Sequence, residues 1–85
     1  MTLSFTLTAW EQYTGWQTQD RDIIRRINSL IKDIERNGLM RGIGKPEPLK
    51  HRPGYSRRIT DAHRLVYDGD GDDLIILSCR GHYSD

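Results

Sequence analysis

Residues 1–7, MTLSFTL, alternate between apolar and polar side chains. A period of two is typical of a β-strand that turns one face towards a core, so the sequence predicts a strand here. Thr8 followed by Glu11 matches a capping box and predicts the start of a helix. The next aromatic residues come at a spacing of three: Trp10, Tyr13 and Trp16. They indicate a short helix with a buried aromatic face that breaks near Gly15.

A longer apolar stripe indicates a second helix from Asp20 to Asn37. Its members repeat at helical spacing: Ile23, Ile24, Ile27, Leu30, Ile31 and Ile34. Such a stripe is the core-facing side of an amphipathic helix, and Gly38 is a typical helix stop. The opposite side carries charged residues: Arg25, Arg26, Lys32, Asp33 and Arg36. We interpret this charged side as a solvated surface rather than an RNA-binding face.

The segment after the second helix is rich in glycine and proline. Residues 38–44 form a flexible connector, and Pro46 and Pro48 then stand on either side of Glu47. Because a residue before proline avoids the helical region, the backbone around Glu47 is expected to be extended. Glu47 is therefore predicted to lie on a stiff segment, with a short additional strand near residues 47–50.

Three β-rich runs follow, at residues 55–60, 63–67 and 74–80, and their spacing predicts an antiparallel meander. The element order βααβββ, with the additional short strand, predicts an α+β fold. In this fold two N-terminal helices cover one face of a mainly antiparallel, twisted sheet and leave the other face open. A chain of 85 residues supports one core, so we expect a single domain over residues 1–85.

The first turn of the meander decides which side chains share the open face. A turn over residues 61–63 would pair Thr60 with Arg64, Ile59 with Leu65 and Arg58 with Val66. Ile59 and Leu65 would then face the core, and Arg58 and Arg64 would lie on the open face. A two-residue turn would place Ile59 beside Arg64 and lose an apolar contact, so we reject it.

In the last strand the same alternation separates two groups of side chains. Ile75, Leu77 and Cys79 fall on one side, with Cys79 towards the core, and Arg80 and His82 continue with the other parity. The open face is therefore predicted to be cationic and to carry a histidine. Cys79 is the only cysteine and cannot form an intramolecular disulfide, which fits a reducing, cytoplasmic location.

Charge is unevenly distributed along the chain, although the formal net charge is only +1. Residues 41–64 hold seven Lys/Arg against two Asp/Glu, and residues 65–85 hold one against five. A basic middle can bind a polyanion, but a solvated loop region explains the charge equally well. The chain shows neither a signal-like opening nor an apolar run of roughly 18 residues, so we expect neither export nor membrane insertion.

Three residues fit the cleavage of RNA without a metal. A base must remove the proton of a ribose 2′-hydroxyl, a cation must hold the phosphate, and an acid must protonate the leaving 5′-oxygen. Glu47, Arg64 and His82 match these needs in that order. Three further residues are suited to hold the phosphate or stack on a base: Lys50, Arg58 and Tyr83. Taken one at a time, Glu47, Arg64 and His82 are better explained as an exposed acid, a strand ion-pair partner and a frayed terminal residue. Only their convergence favours a site.

Spacing argues against two kinds of metal site. The acidic turn at residues 68–73 superficially resembles a calcium-binding loop, but it has Asp73 where glycine is required and Cys79 where a bidentate glutamate is required. The histidines and the single cysteine lack the spacing of a zinc site. A chain this short also leaves little room for an enclosed cofactor pocket. We therefore expect neither a metal nor a cofactor.

Four motifs resemble, in this order, those of YoeB-type toxins of the RelE superfamily. They are GKPEPLKH at residues 44–51, SRRIT at 56–60, HRLVY at 63–67 and CRGHY at 79–83. Further similar segments near the N-terminus, Ala9-Trp10, Trp16-Gln17 and residues 27–33, extend the resemblance over nearly the whole chain. The resemblance implies a RelE-like fold and the toxin of a type II toxin–antitoxin system. It also implies an endoribonuclease that cuts mRNA on the ribosome without a metal or cofactor.

Carried onto matching positions, the resemblance implies that Glu47 is the general base, Arg64 binds the phosphate and His82 is the general acid. The assisting residues would be Lys50, Arg58 and Tyr83. The resemblance further implies a YefM-type antitoxin, whose extended segment covers the cationic face and disturbs the C-terminal residues. It also implies a toxin homodimer, and contact with operator DNA only through the antitoxin.

Two departures from the family pattern bear on the site. Gly81 stands where the family usually has a bulky aromatic residue, and glycine frees the backbone that must position His82. Residues 52–55 form a segment about two residues shorter than usual, without the tryptophan expected before Ser56. Two other functions stay open. One is a ParE-like toxin of the same superfamily, which acts on DNA gyrase and does not cut RNA, and the other is a noncatalytic module that binds RNA or the ribosome.

Overall fold

The computed structural model describes residues 1–82 of the chain. Over this range the chain forms two helices and five strands in the order βααββββ. The elements are β1 (Thr2–Phe5), α1 (Leu7–Gln19), α2 (Arg21–Asn37), β2 (Glu47–Pro48), β3 (Tyr55–Arg58), β4 (Arg64–Gly69) and β5 (Asp73–Ser78). The short strand predicted near residues 47–50 is β2.

The five strands form one sheet with the order β1-β5-β4-β3-β2. Strands β2 to β5 make the predicted antiparallel meander, and β1 pairs with β5 in parallel. Side chains of both helices and of the sheet share one core, which includes Trp16, Ile27, Leu65 and Ile76. The α+β class and the mainly antiparallel sheet are thereby confirmed.

Helix α1 begins at a different threonine from the one that the sequence predicts. Thr6 is the N-cap, because its hydroxyl accepts a hydrogen bond from the N–H of Ala9 at 3.1 Å. The same hydroxyl donates to the carbonyl of Leu77 at 3.0 Å, which ties the cap to the end of β5. The predicted capping box of Thr8 and Glu11 is therefore wrong.

The predicted break of α1 near Gly15 is also wrong, since the helix continues to Gln19. A glycine inside a helix costs only about 1 kcal/mol. The next residue, Trp16, is buried, and its Nε1 donates to the carbonyl of Cys79 at 3.0 Å. This tertiary anchor explains why the helix runs on past the glycine.

The boundaries predicted for helix α2 are confirmed. The carboxylate of Asp20 accepts hydrogen bonds from the N–H groups of Asp22 and Ile23, and Gly38 ends the helix with φ +93°. Five members of the predicted apolar stripe are buried: Ile23, Ile27, Leu30, Ile31 and Ile34. In the part of the chain that the structure describes, neither helix is long and apolar enough to cross a membrane.

The connection between β3 and β4 is longer than predicted. Arg58 pairs directly with Arg64, so residues 59–63 form the connection, which is closed by two backbone hydrogen bonds to the carbonyl of His63. The predicted register, with Arg58 opposite Val66, is wrong by two residues. Because a two-residue shift returns every side chain to the same face, Arg58 and Arg64 still share the open face.

The alternation predicted for the last strand is interrupted by a β-bulge. Val66 pairs with Ser78 but Tyr67 pairs with Ile76, so Leu77 is the extra residue. Ile76 and Cys79 therefore both belong to the core, although they differ in parity. Cys79 faces the core as predicted, but Ile75 and Leu77 do not share its side.

Candidate active site

Glu47 is presented on the open face by an edge strand. It lies in β2 and pairs with Ser56 of β3, so the two side chains point to the same face. The extended backbone predicted between Pro46 and Pro48 is confirmed by this pairing. The Glu47 side chain is 62% exposed, and its carboxylate is accessible to a ligand.

Arg57 holds the segment that leads to Glu47, and its side chain is fully buried. Its Nη1 donates to Asp33 Oδ2 at 2.5 Å, and its Nε donates to the Tyr67 hydroxyl at 2.9 Å. Its Nη atoms also donate to three backbone carbonyls, those of Gly38, Arg41 and Ile43, at 2.8 to 3.0 Å. The glycine-rich connector is thus fixed to the core, and β2 begins from a defined position.

Burial and hydrogen bonding shift the pKa values of two groups that bind Arg57, the Asp33 carboxyl and the Tyr67 phenol. The hydrogen bond from the guanidinium holds the pKa of Asp33 below its usual value, with further hydrogen bonds from Ile43 and Asn37 acting in the same direction. Burial raises the pKa of the Tyr67 phenol, and the hydrogen bond from Arg57 opposes that shift. Arg57 is therefore paired with an ionised carboxylate, as a buried charge must be.

Arg64 begins β4 and extends across the open face towards β2. Its Nε donates to Ser56 Oγ at 3.1 Å, and its Nη2 lies 2.9 Å from Glu47 Oε1. Within residues 1–82 the buried Nη2 has no acceptor in hydrogen-bond alignment, so the contact with Glu47 is an ion pair without an aligned hydrogen bond. An unsatisfied guanidinium donor is well suited to a phosphate oxygen, because such charge-assisted bonds are strong and often bidentate.

A cleft of about 430 Å³ opens beside this ion pair. Its lining includes Glu47, Arg64 and Ser56, together with Lys50 and His51 from the segment after β2. Acid, guanidinium and ammonium groups thus border one concave surface. A phosphodiester placed there would meet both a base and cations.

Arg58 lies on the same face, directly opposite Arg64 in the sheet. Its side chain is 45% exposed and forms an ion pair with Asp61, with an N–O distance of 3.7 Å. Such an exposed pair is weak, so the guanidinium can exchange Asp61 for another anion. Arg58 extends the cationic surface beyond the cleft.

His82 is exposed, and the residue before it is fixed to β4. The carbonyl of Gly81 accepts from the N–H of Arg64 at 3.0 Å, and the N–H of Gly81 donates to His63 Nδ1 at 2.8 Å. Gly81 has φ +82°, a conformation that L side chains rarely adopt, so glycine suits this turn. The backbone immediately before His82 is therefore held by a hydrogen bond from the N–H of Arg64. The predicted Tyr83 lies outside the described residues.

The structure thus joins Glu47 to Arg64 by an ion pair and places Lys50 in their cleft. Ser56, Arg57 and His63 also contact the groups of this site or the segments that carry them, and none of the three was predicted as a site residue from the sequence. Arg57 lies two residues before Ile59, which was predicted to face the core. Because alternate residues of a strand share a face, this spacing could have indicated that Arg57 is buried. Ser56 shares the parity of Arg58 and could have been found in the same way. The bond of His63 to Gly81 has no signal in the sequence.

Comparison with known proteins identifies the family. The model of the YoeB-like toxins of bacterial type II toxin–antitoxin systems matches residues 5–83. A toxin YoeB from Streptomyces coelicolor is 51% identical, over 98% of this chain and the whole of that protein. The toxin YoeB of Escherichia coli K12 is 48% identical over the same shares.

A solved structure supports the same relationship and confirms the fold implied by the resemblance. It is a YoeB dimer from Staphylococcus aureus, which superposes with a TM-score of 0.92 at 45% identity and covers 98% of both chains. Family, relatives and architecture agree over nearly the full length. The chain therefore belongs to the YoeB-like toxins of bacterial type II toxin–antitoxin systems.

Proposed function

We propose that this toxin is an endoribonuclease that cuts mRNA on the ribosome and thereby stops translation. The observation that carries the proposal is the cleft in which Arg64 Nη2 lies 2.9 Å from Glu47 Oε1, with a backbone hydrogen bond from Arg64 to the residue before His82. Cleavage proceeds by attack of a ribose 2′-hydroxyl on the adjacent phosphate. The protein needs no metal or cofactor of its own for this reaction.

Glu47 acts as the general base. Its exposed carboxylate takes the proton of the 2′-hydroxyl, and the ion pair with Arg64 orients it on the stiff strand β2. The incoming phosphate competes with Glu47 for the Arg64 guanidinium. Binding of substrate therefore loosens the ion pair and makes the carboxylate available as the base.

Arg64 holds the phosphate while negative charge builds up on its oxygens. Its Nη2, which faces Glu47 without an aligned hydrogen bond, and its hydrogen bond to Ser56 support this assignment. Lys50 in the cleft and Arg58 beside Arg64 add positive charge. Arginine serves as a planar fork and lysine as a point charge.

His82 acts as the general acid and protonates the departing 5′-oxygen. Its exposure and its attachment to the backbone beside Arg64 support this role. Tyr83, the next residue, stacks on a base or steadies the phosphate. A single positioned acid or base contributes typically about 10²- to 10⁴-fold to the rate.

The toxin acts in the cytoplasm as a single domain and is neutralised by an antitoxin of the YefM type. Related toxins support this partner: a YoeB–YefM complex from Staphylococcus aureus superposes with a TM-score of 0.90 at 44% identity. An extended segment of the antitoxin that covered the cationic face would compete with mRNA for the cleft. The solved YoeB dimer supports a homodimer of this chain.

Primer extension on mRNA bound to translating ribosomes tests the proposal. The wild-type toxin should create new mRNA ends, and Glu47→Gln or His82→Gln should slow cleavage by about 100-fold or more. Glu35→Gln changes an exposed acid of α2, outside the cleft lining, and serves as the matched control. A chelator selective for transition metals, with ribosomal magnesium retained, should leave the rate unchanged.

Three outcomes would contradict the proposal. Unchanged toxicity of H82Q, with RNA binding intact and no cleavage of mRNA by the wild-type toxin, would leave only an RNA-binding module. Inhibition of DNA gyrase without cleavage of mRNA would favour the ParE-like activity. Loss of cleavage with the selective chelator would show that a metal takes part.

A further inference from the structure

The backbone of Gly81 is held at both of its polar groups. Its N–H donates to the Nδ1 atom of His63 at 2.8 Å, and its carbonyl accepts from the N–H of Arg64 at 3.0 Å. His63 and Arg64 are consecutive, so the two bonds fix both the position and the direction of the chain just before His82. Only the first bond depends on a side chain, so a substitution can remove it and leave the second in place.

The imidazole of His63 is itself held in place. Its ring packs edge-on against Trp16, with centroids 4.8 Å apart and an interplanar angle of 74°. Trp16 is buried, donates to the carbonyl of Cys79 at 3.0 Å and carries the Arg80 guanidinium 4.0 Å above its ring. Contacts of Trp16 and His63 thus reach every residue from Cys79 to Gly81.

We propose that His63 is a positioning residue, which holds Gly81 so that His82 is presented to the cleft. It acts through the backbone and touches no reacting atom. The inference rests on the proposed function, in which His82 is the general acid. Because Nδ1 accepts a hydrogen bond, the neutral ring carries its proton on Nε2, and a second proton on Nδ1 would remove the acceptor.

Two substitutions separate the acceptor of His63 from its ring. His63→Asn places an amide oxygen near the position of Nδ1 and keeps an acceptor for Gly81, but it loses the ring contact with Trp16. His63→Phe keeps an aromatic ring against Trp16 and has no acceptor. The pair therefore distinguishes a hydrogen bond from packing.

Amide hydrogen exchange at Gly81 reports on the bond without reference to activity. We expect this amide to exchange at least about tenfold faster in H63F than in the wild type, because its acceptor is gone. In H63N the amide should stay close to the wild-type rate. The reverse pattern would show that ring packing holds the segment, and it would overturn the proposal.

Cleavage of two substrates then links the bond to catalysis. One is an ordinary mRNA, and the other has sulfur in place of the leaving 5′-oxygen, so that its thiolate leaving group needs no proton. Displacement of the general acid therefore lowers the rate of cleavage of the oxygen substrate only. H63F should lose roughly 10- to 100-fold in kcat on that substrate, with KM unchanged, and recover on the sulfur substrate. H63N should keep most of the rate.

His82→Gln is the reference that separates this proposal from the proposed function. Wild-type cleavage of the oxygen substrate by H82Q would overturn the general-acid role and the positioning role together. A different result would overturn only the positioning role: H82Q cuts the oxygen substrate slowly and the sulfur substrate at the wild-type rate, while H63F cuts both substrates at the wild-type rate. Equal loss of both substrates by H63F would also overturn it, since that result indicates a general structural defect.

Discussion

Ser56 connects the two charged residues of the candidate site. It pairs with Glu47 across the edge of the sheet, and its hydroxyl accepts from Arg64 Nε at 3.1 Å. Ser56 is only 4% exposed, so water cannot readily replace this acceptor. The orientation of the Arg64 guanidinium therefore depends on a residue that has no chemical role of its own.

Ser56→Ala tests this dependence. A hydrogen bond to a charged group contributes about 1.5 to 3 kcal/mol, so we expect kcat/KM for mRNA cleavage to fall by roughly tenfold or more. Ser78→Ala, on the open face of β5 opposite Val66, is the control and should cut at nearly the wild-type rate. Equal rates for the two variants would contradict the assigned role of Ser56.

At the scale of residues, the sequence predicted the charged groups of the site but not the polar groups that orient them. The open-face position of Arg64 could be predicted because strand parity assigns faces without knowledge of the exact register. The extended backbone at Glu47 could be predicted from Pro46 and Pro48. Arg57 was counted only among the seven basic residues of 41–64, because its buried acceptors at Gly38, Arg41 and Ile43 come close to it only in the folded chain.

At the scale of elements, local signals predicted α2 fully and α1 only in part. Helix α2 has a continuous apolar stripe and a capping residue at each end. The start of α1 depends on the hydrogen bond from Thr6 to the carbonyl of Leu77, a contact between distant parts of the chain. The bulge at Leu77 likewise follows from pairing with β4 and has no signature in the sequence.

The position of the α1 N-cap leads to a direct test. Thr6→Ala removes the cap and its bond to β5, so the free energy of unfolding should fall by about 1 kcal/mol or somewhat more. Thr8→Ala lies on an exposed position inside the helix and should change stability by less than about 0.5 kcal/mol. Chemical denaturation measures both. A larger loss for T8A would show that the helix begins at Thr8.

At the scale of the whole molecule, the network around Arg57 joins α2, the connector and β4. Asp33 of α2, the carbonyls of the connector and Tyr67 of β4 all bind one buried guanidinium. The Tyr67 hydroxyl also donates to the carbonyl of Leu39 at 2.6 Å. The segment before β2 is thus tied to the core, and the stability of the fold should respond to the charge on Asp33.

The pKa of Asp33 is lowered in the folded protein, chiefly by the hydrogen bond from Arg57, from an ordinary value of 3.8. The contribution of the ionised Asp33 carboxylate to stability is therefore complete above about pH 4 and is lost as the pH falls through the lowered pKa. The free energy of unfolding, measured from pH 7 down to pH 3 and below, should fall less steeply for Asp33→Asn than for the wild type. Parallel curves would contradict this coupling.

The central claim is that the cleft of Glu47 and Arg64 activates a 2′-hydroxyl against the neighbouring phosphate. The most direct measurement is the chemistry of the cut ends, for a ribosome-bound mRNA with and without a single 2′-deoxy substitution just before the scissile phosphate. We predict a 2′,3′-cyclic phosphate or its opened product on one fragment, a 5′-hydroxyl on the other, and no cleavage of the deoxy substrate. A 5′-phosphate on the downstream fragment, or normal cleavage of the deoxy substrate, would contradict the claim.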